Sequence, residues 1–165
     1  MSWSAAYLGL GTNQGDRWDN LRRALLLLAE GPGLRLLRCS QAYDTEPWGV
    51  ANQPRYLNCV AEVAATLAPE ELLAWCKDAE ARLGREPGPH WGPRLIDVDI
   101  LLYESRVVEL PHLEIPHPRL HLRAFALVPL AELVPAAVHP SLGRSIGELA
   151  QEAEGREGVT PLGPI

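Results

Sequence analysis

The sequence predicts one α+β domain built on a mainly antiparallel sheet. Three observations carry that expectation. Strand-like and helix-like segments follow one another in the order β-α-β-β-α-β. The two helical segments have clear start and stop residues. After the last strand come a short hairpin and further helical segments. This order is the split βαβ, ferredoxin-like arrangement, here with an extra hairpin and C-terminal helices. In such a sheet the helices are expected to pack on one face.

The elements follow in order. Ala6 to Leu10 is a short apolar strand running into the turn Gly11-Thr12-Asn13-Gln14-Gly15. Asp16 is placed to cap a helix reaching about Ala29, with Trp18, Leu21, Leu25 and Leu28 at helical spacing. Gly31-Pro32-Gly33 stops it, and Leu34 to Tyr43 reads as the second strand. Asp44 to Pro54 is rich in turn formers and reads as a loop, and Tyr56 to Thr66 as the third strand. Pro69 suits a first helical turn, so a helix is expected to about Leu83, ended by Gly84. Arg85 to Arg94 holds three prolines and two glycines and reads as a long loop. Ile96 to Tyr103 is the fourth strand, turning at Glu104-Ser105 into Arg106 to Glu109. Pro116 to Leu122 follows as loop, then helices near Ala124 to Leu133 and Ser145 to Glu154. The tail from Gly155 is expected to be mobile.

Length and composition narrow the function. With 165 residues, 47% hydrophobic and 22% charged, the chain suits a single globular domain. The longest apolar run, Ala24 to Ala29, is too short to span a bilayer, and no signal peptide is read at the N-terminus. Cys39, Cys59 and Cys76 lack metal-type spacing and read as reduced thiols. The expected setting is therefore the cytoplasm, with no membrane partner, and the expected form is a monomer. The net charge of −6 counts against a nucleic-acid partner. A few arginines can still hold nucleotide phosphates. Lys77 is the one lysine among 15 basic residues, and proline is abundant at 15 residues. A GC-rich genome and heat adaptation each account for both biases.

The chemistry concentrates at Trp91-Gly92-Pro93-Arg94-Leu95-Ile96-Asp97-Val98-Asp99. Side chains alternate along a strand, so Asp97 and Asp99 share a face, about 6.5 Å apart at Cα. Ile96, Val98, Ile100 and Leu102 are expected to face the core, and Leu101 and Tyr103 to continue the aspartate face. Two carboxylates so placed repel unless a cation lies between them. Oxygen ligands on a rigid strand suit Mg²⁺, with water and substrate phosphate completing its shell. Taken alone, Asp-x-Asp is equally a solvent-facing strand that carries two acids. Arg85, Arg94 and Arg123 can grip a polyphosphate bidentately, and His117 can donate to phosphate. Each is also an ordinary surface charge or loop anchor. Trp48, Tyr56 and Phe125 are flat enough to sandwich a heterocycle. Asn58 offers a donor and an acceptor for an amide edge. Core packing accounts for the aromatics equally well. Gly9-Leu10-Gly11-Thr12-Asn13-Gln14-Gly15 lacks the Lys-Ser/Thr of a P-loop and the glycine spacing of a dinucleotide turn, so neither is read here.

From about Ala6 to Leu149 the chain resembles the 6-hydroxymethyl-7,8-dihydropterin pyrophosphokinase family. The likeness rests on Tyr7-Leu8-Gly9-Leu10-Gly11-Thr12-Asn13, Thr45-Glu46-Pro47-Trp48-Gly49, Tyr56-Leu57-Asn58, the Trp91-to-Ile100 run, Ile115-Pro116-His117 and Arg123-Ala124-Phe125. It implies transfer of a diphosphate from ATP to 6-hydroxymethyl-7,8-dihydropterin, giving AMP, in folate biosynthesis. It implies two Mg²⁺ ions on Asp97 and Asp99, and a catalytic set of Arg85, Arg94, Asp97 and Asp99. It implies a pterin pocket of Thr45, Pro47, Trp48, Tyr56, Asn58, Trp91 and Phe125. The nucleotide would lie against Lys77, Glu80, Arg85, Trp91, Arg94, Ile100, His117 and Arg123. The chain departs from the family at several points. Pro87 stands where many members carry a second arginine, His90 where a basic residue is frequent, Lys77 where glutamine is, and Pro118 where tyrosine is. Two other classes share parts of this pattern: a Mg²⁺-dependent phosphodiesterase, and a non-catalytic nucleotide- or RNA-binding module of the same fold. The second should carry basic and aromatic residues, not two acids, on its central strands.

Overall fold

The computed structural model describes residues 2–47, 52–84 and 95–165. Ser4–Thr12 (β1) is the strand around which the sheet is built, pairing with Tyr56–Ala65 (β4) on one side and Asp97–Tyr103 (β5) on the other. Leu34–Cys39 (β2) and Ala42–Thr45 (β3) both pair with β4, and every pairing is antiparallel. The spatial order β5-β1-β4-β3 matches the expected ferredoxin-like arrangement.

Helix Arg17–Ala29 (α1) forms as its sequence predicts: the Asp16 carboxylate accepts from the Asp19 N–H at 3.0 Å, satisfying an otherwise orphan amide. Leu21, Ala24, Leu25 and Leu28 are its buried stripe. Helix Pro69–Arg82 (α2) opens on proline, and the Glu71 side chain reaches back to the Ala68 N–H at 2.8 Å. Both helices press on Ala6, Leu8, Leu10, Cys59, Ala61, Val63, Val98 and Ile100, forming one core. Burial of such side chains contributes roughly 1.5–3 kcal/mol each.

The expectation of helices on one face is corrected. Ala124–Leu133 (α3) and Ile146–Glu152 (α4) cover the opposite face, burying Leu120, Leu127, Leu130, Ile146 and Leu149 against Val60, Leu101 and Leu102. The sheet is thus the middle of three layers.

Other elements also differ from the expected ones. The expected strand Leu34 to Tyr43 breaks into β2 and β3 at Ser40, whose hydroxyl accepts from the Val60 N–H at 2.9 Å and donates to the Gln41 carbonyl. Strand β3 then runs on to Thr45, into the segment expected to be loop. The register between β1 and β5 shifts at Tyr7/Leu8, a bulge that inserts Leu101. After it Leu102 joins the α3–α4 core and Tyr103 the α1–α2 core, the reverse of strict alternation. The segment after Tyr103 does not return along β5. Val108–Leu110 (β6) pairs instead with Leu113–Ile115 (β7) as a separate ribbon. The tail expected to be mobile forms Thr160–Gly163 (β8), paired with the open edge of β3.

Candidate active site

Strand β1 carries glycine at alternate positions, Gly9 and Gly11, on the face that α3 covers. The register sets them between the chemistry-bearing residues: Gly9 is opposite Asp99, and Gly11 has Asp97 on one side and Asn58 on the other. Asp97, Gly11 and Asn58 therefore form one row across three strands. Two strand spacings put Asp97 and Asn58 about 9.6 Å apart at the backbone. A Cβ on Gly11 would lie 2.5 Å from Asn58 Oδ1, and one on Gly9 3.3 Å from the Leu101 methyls. The glycines thus leave a floor of bare backbone, which larger side chains would fill.

Over that floor lies a cavity of about 190 Å³. Asp97, Asp99, Arg123, Phe125, Tyr56, Asn58 and Thr45 line it, with Gly9, Gly11, Glu46, Leu101 and Ala126. Asn58 is buried, and its Nδ2 donates to Thr45 Oγ1 at 2.6 Å. Because Thr45 sits on β3 and Asn58 on β4, this bond fixes the amide across two strands. The guanidinium of Arg123 stands 5.6 Å over the Phe125 ring. Burial pushes Arg123 below its ordinary pKa, and Asp99 and Asp97 oppose that push. It therefore faces the aspartates as their counter-charge.

His117 is half-buried beside this group. Burial is the larger cause, and Arg123 the next, of its pKa falling below the ordinary value, while Asp99 pulls the other way. Its Nδ1 accepts from the Arg119 N–H at 3.2 Å. That bond assigns the ring proton to Nε2 in the neutral form, so Nε2 is the donor.

Other expected residues lie elsewhere. Ile100 is 4% exposed, and its side chain belongs to the α1–α2 core, away from the aspartate cavity. Glu80 is 1% exposed, accepts from the Val98 N–H at 2.9 Å, and has Lys77 Nζ 3.2 Å from its other oxygen. Pro47 lines a neighbouring cavity of about 150 Å³ with Thr45, Glu46, Phe125 and the tail residues Gly155, Gly158 and Val159. Trp48, Arg85, Trp91 and Arg94 lie outside the described residues. The cavity also takes in Gly9 and Gly11 as bare floor, and Leu101, the residue expected to continue the aspartate face. Glycine at i and i+2 inside an apolar strand was the available signal for the first two.

The donor set suits Mg²⁺. Asp97 and Asp99 open into one cavity, offer oxygen alone, and leave room for water and phosphate oxygens, as that ion requires. Among the described residues no group of three or more His, Cys, Asp or Glu could hold a metal.

Comparison with known proteins agrees with this geometry. The profile of the 7,8-dihydro-6-hydroxymethylpterin-pyrophosphokinase (HPPK) family matches residues 7–135. The 2-amino-4-hydroxy-6-hydroxymethyldihydropteridine pyrophosphokinase of Aquifex aeolicus is 39% identical over 149 residues, covering 90% of this chain and 92% of that one. The protein of the same name from Methylorubrum extorquens is 45% identical over 133 residues, covering 81% and 84%. A crystal structure of an HPPK-DHPS protein in complex with substrates superposes with a TM-score of 0.78 at 13% identity, over 98% of this chain and 47% of that chain. At that identity the superposition shows the fold alone. The profile match, the identity over nearly full length and the shared architecture place this chain in the 7,8-dihydro-6-hydroxymethylpterin-pyrophosphokinase family.

Proposed function

We propose that the cavity on the glycine floor is where the chain transfers a diphosphate from ATP to 6-hydroxymethyl-7,8-dihydropterin, releasing AMP, a step of folate biosynthesis. The Asp97–Gly11–Asn58 row carries this reading. It puts a metal-type carboxylate pair and an amide-reading side chain in one cavity, with flat bare backbone between them. A planar pterin fits there, its amide edge on Asn58 and its hydroxymethyl toward the aspartates, between Tyr56 and Phe125. Thr45 lines that pocket, Pro47 stands at the neighbouring cavity beside it, and Trp48 and Trp91 are proposed as further pterin contacts.

Asp97 and Asp99 would hold Mg²⁺, two ions in this proposal, and the metal would neutralise charge on the phosphate oxygens. The residues supply the rest. Arg123 and His117 Nε2 donate to the triphosphate from the α3 side, and Arg85 and Arg94 grip it from the preceding segment. On β5 the Asp97 and Asp99 backbones face β1, so the Ile100 backbone lies on the outer edge, where it meets the nucleotide base. Lys77 lies on the same side. Asn58, held by Thr45, fixes the pterin so that its hydroxyl oxygen lies in line with the β-phosphorus. Phosphoryl transfer of this kind needs alignment and charge neutralisation more than covalent help. The proposed form is a monomer in the cytoplasm. Among the described residues no helix is long and apolar enough to cross a membrane.

The test is the nucleotide product. Protein, Mg²⁺-ATP and the pterin should yield AMP and pterin diphosphate, because attack falls on the β-phosphorus. Asp97→Ala should lower turnover by about 10²-fold or more, the usual scale for removing a charge-stabilising group, while the fold survives. ADP as product, or ATP consumption indifferent to the pterin, would sink the reading.

A further inference from the structure

We propose that Glu80 is a positioning residue for the two aspartates, acting through the backbone of β5 and not as a contact to the nucleotide. The inference rests on the metal role given above to Asp97 and Asp99. Among the described residues β5 pairs only with β1 and is an edge of the sheet. The peptide N–H between Asp97 and Asp99, that of Val98, points away from β1, where an edge strand has no ladder partner. Glu80 Oε2 receives it at 2.9 Å. Helix α2 thus takes the place of the missing strand at one position, midway between the metal-type side chains.

The environment makes that bond stiff. The Val98 side chain is fully buried, and Glu80, at 1% exposure, projects from the same stretch of α2 as the buried Cys76 and Ala79. Upstream, the Leu95 carbonyl accepts from the Thr12 hydroxyl and from Asn20 Nδ2. Asp97 is therefore bracketed by anchors at Leu95 and Val98. A rotation of the Asp97–Val98 peptide would swing the two carboxylates relative to each other, and the Glu80 bond opposes that rotation. Burying a carboxylate is costly. Lys77, 3.2 Å from the other oxygen, offsets part of that cost from the surface side.

Three variants separate the alternatives. Glu80→Gln keeps an acceptor for Val98 and removes the charge. Glu80→Asp keeps the charge but is one methylene too short to reach. Glu80→Ala removes both, and Glu80→Asp carries the test if that variant does not fold. The measurement is the dissociation constant of ATP by calorimetry, once with Mg²⁺ and once with EDTA, so it does not depend on turnover or on the pterin. In EDTA all folded variants should bind ATP within about twofold of wild type. With Mg²⁺, Glu80→Asp and Glu80→Ala should lose about tenfold of the metal-dependent gain in affinity, the scale for removing a residue that orients metal ligands. Glu80→Gln should retain most of that gain. Equal losses with and without Mg²⁺ would make Glu80 a nucleotide contact and overturn the proposal. A loss in Glu80→Gln with Glu80→Asp unaffected would assign the effect to charge and overturn it too, as would no change in any variant. If wild type gains no ATP affinity from Mg²⁺, the metal assignment itself fails, an outcome distinct from all of these.

Discussion

At the scale of single residues, the site is governed by what is missing from side chains as much as by what is present. Asp97, Asp99, Asn58 and Arg123 were legible because their chemistry is polar and their spacing along a strand fixes their face. Gly9 and Gly11 make no phosphate loop and, beyond the family likeness, announce no role, since a glycine's role depends on what approaches it, here Asn58 and Leu101. Gly11→Ala tests this. A methyl 2.5 Å from Asn58 Oδ1 must displace the amide from Thr45. The variant should bind the pterin about tenfold or more weakly, since a buried amide left without its partner costs about 1–3 kcal/mol. ATP affinity should stay near wild type. Calorimetry with each ligand separately checks it, and equal losses for both would place the damage elsewhere in the sheet.

At the scale of elements, α1 and α2 were legible because caps and apolar period are local signals. The Asp16 cap and the Pro69 start both form. Strand partners were not legible. Nothing within Val108–Leu110 distinguishes return along β5 from pairing with β7, and nothing in Thr160–Gly163 announces an edge to dock on. That edge matters to the site. Strand β8 covers β3 from Ala42 to Asp44, and β3 carries Thr45, which holds Asn58. The tail residues Gly155, Gly158 and Val159 also line a cavity with Thr45 and Glu46. A chain ending at Glu154 should therefore fold, bind the pterin more weakly than ATP relative to wild type, and self-associate through the bared edge of β3. Size-exclusion chromatography and separate titrations of the two ligands measure both effects. Unchanged pterin affinity would remove the tail from the site.

At the scale of the whole molecule, acid stability draws on a buried histidine outside the cavity of the aspartates. His139, between α3 and α4, is 4% exposed, and its Nδ1 accepts from the Ser141 and Leu142 N–H groups, each at 3.2 Å. Burial first, and His121 second, hold its pKa below the ordinary value. The folded state therefore resists protonation that the unfolded chain accepts near pH 6.5. Its contribution is full above that pH and is lost as pH falls through the folded pKa. His139→Asn keeps an acceptor at Nδ1 but cannot titrate. Between pH 7.5 and 5.5 the urea midpoint of wild type should fall more than that of the variant, and parallel falls would clear His139 of any part in it. The sequence by itself determined the α+β class, the two capped helices, the aspartate face and the family, because each is written in local spacing or in runs of neighbouring residues. Tertiary structure alone decided the second helical layer, the bulge that redirects Leu102 and Tyr103, and the docking of the tail. It also decided the row Asp97–Gly11–Asn58. Those features depend on which strands lie side by side and in what register, and register is set by packing between segments far apart in the chain.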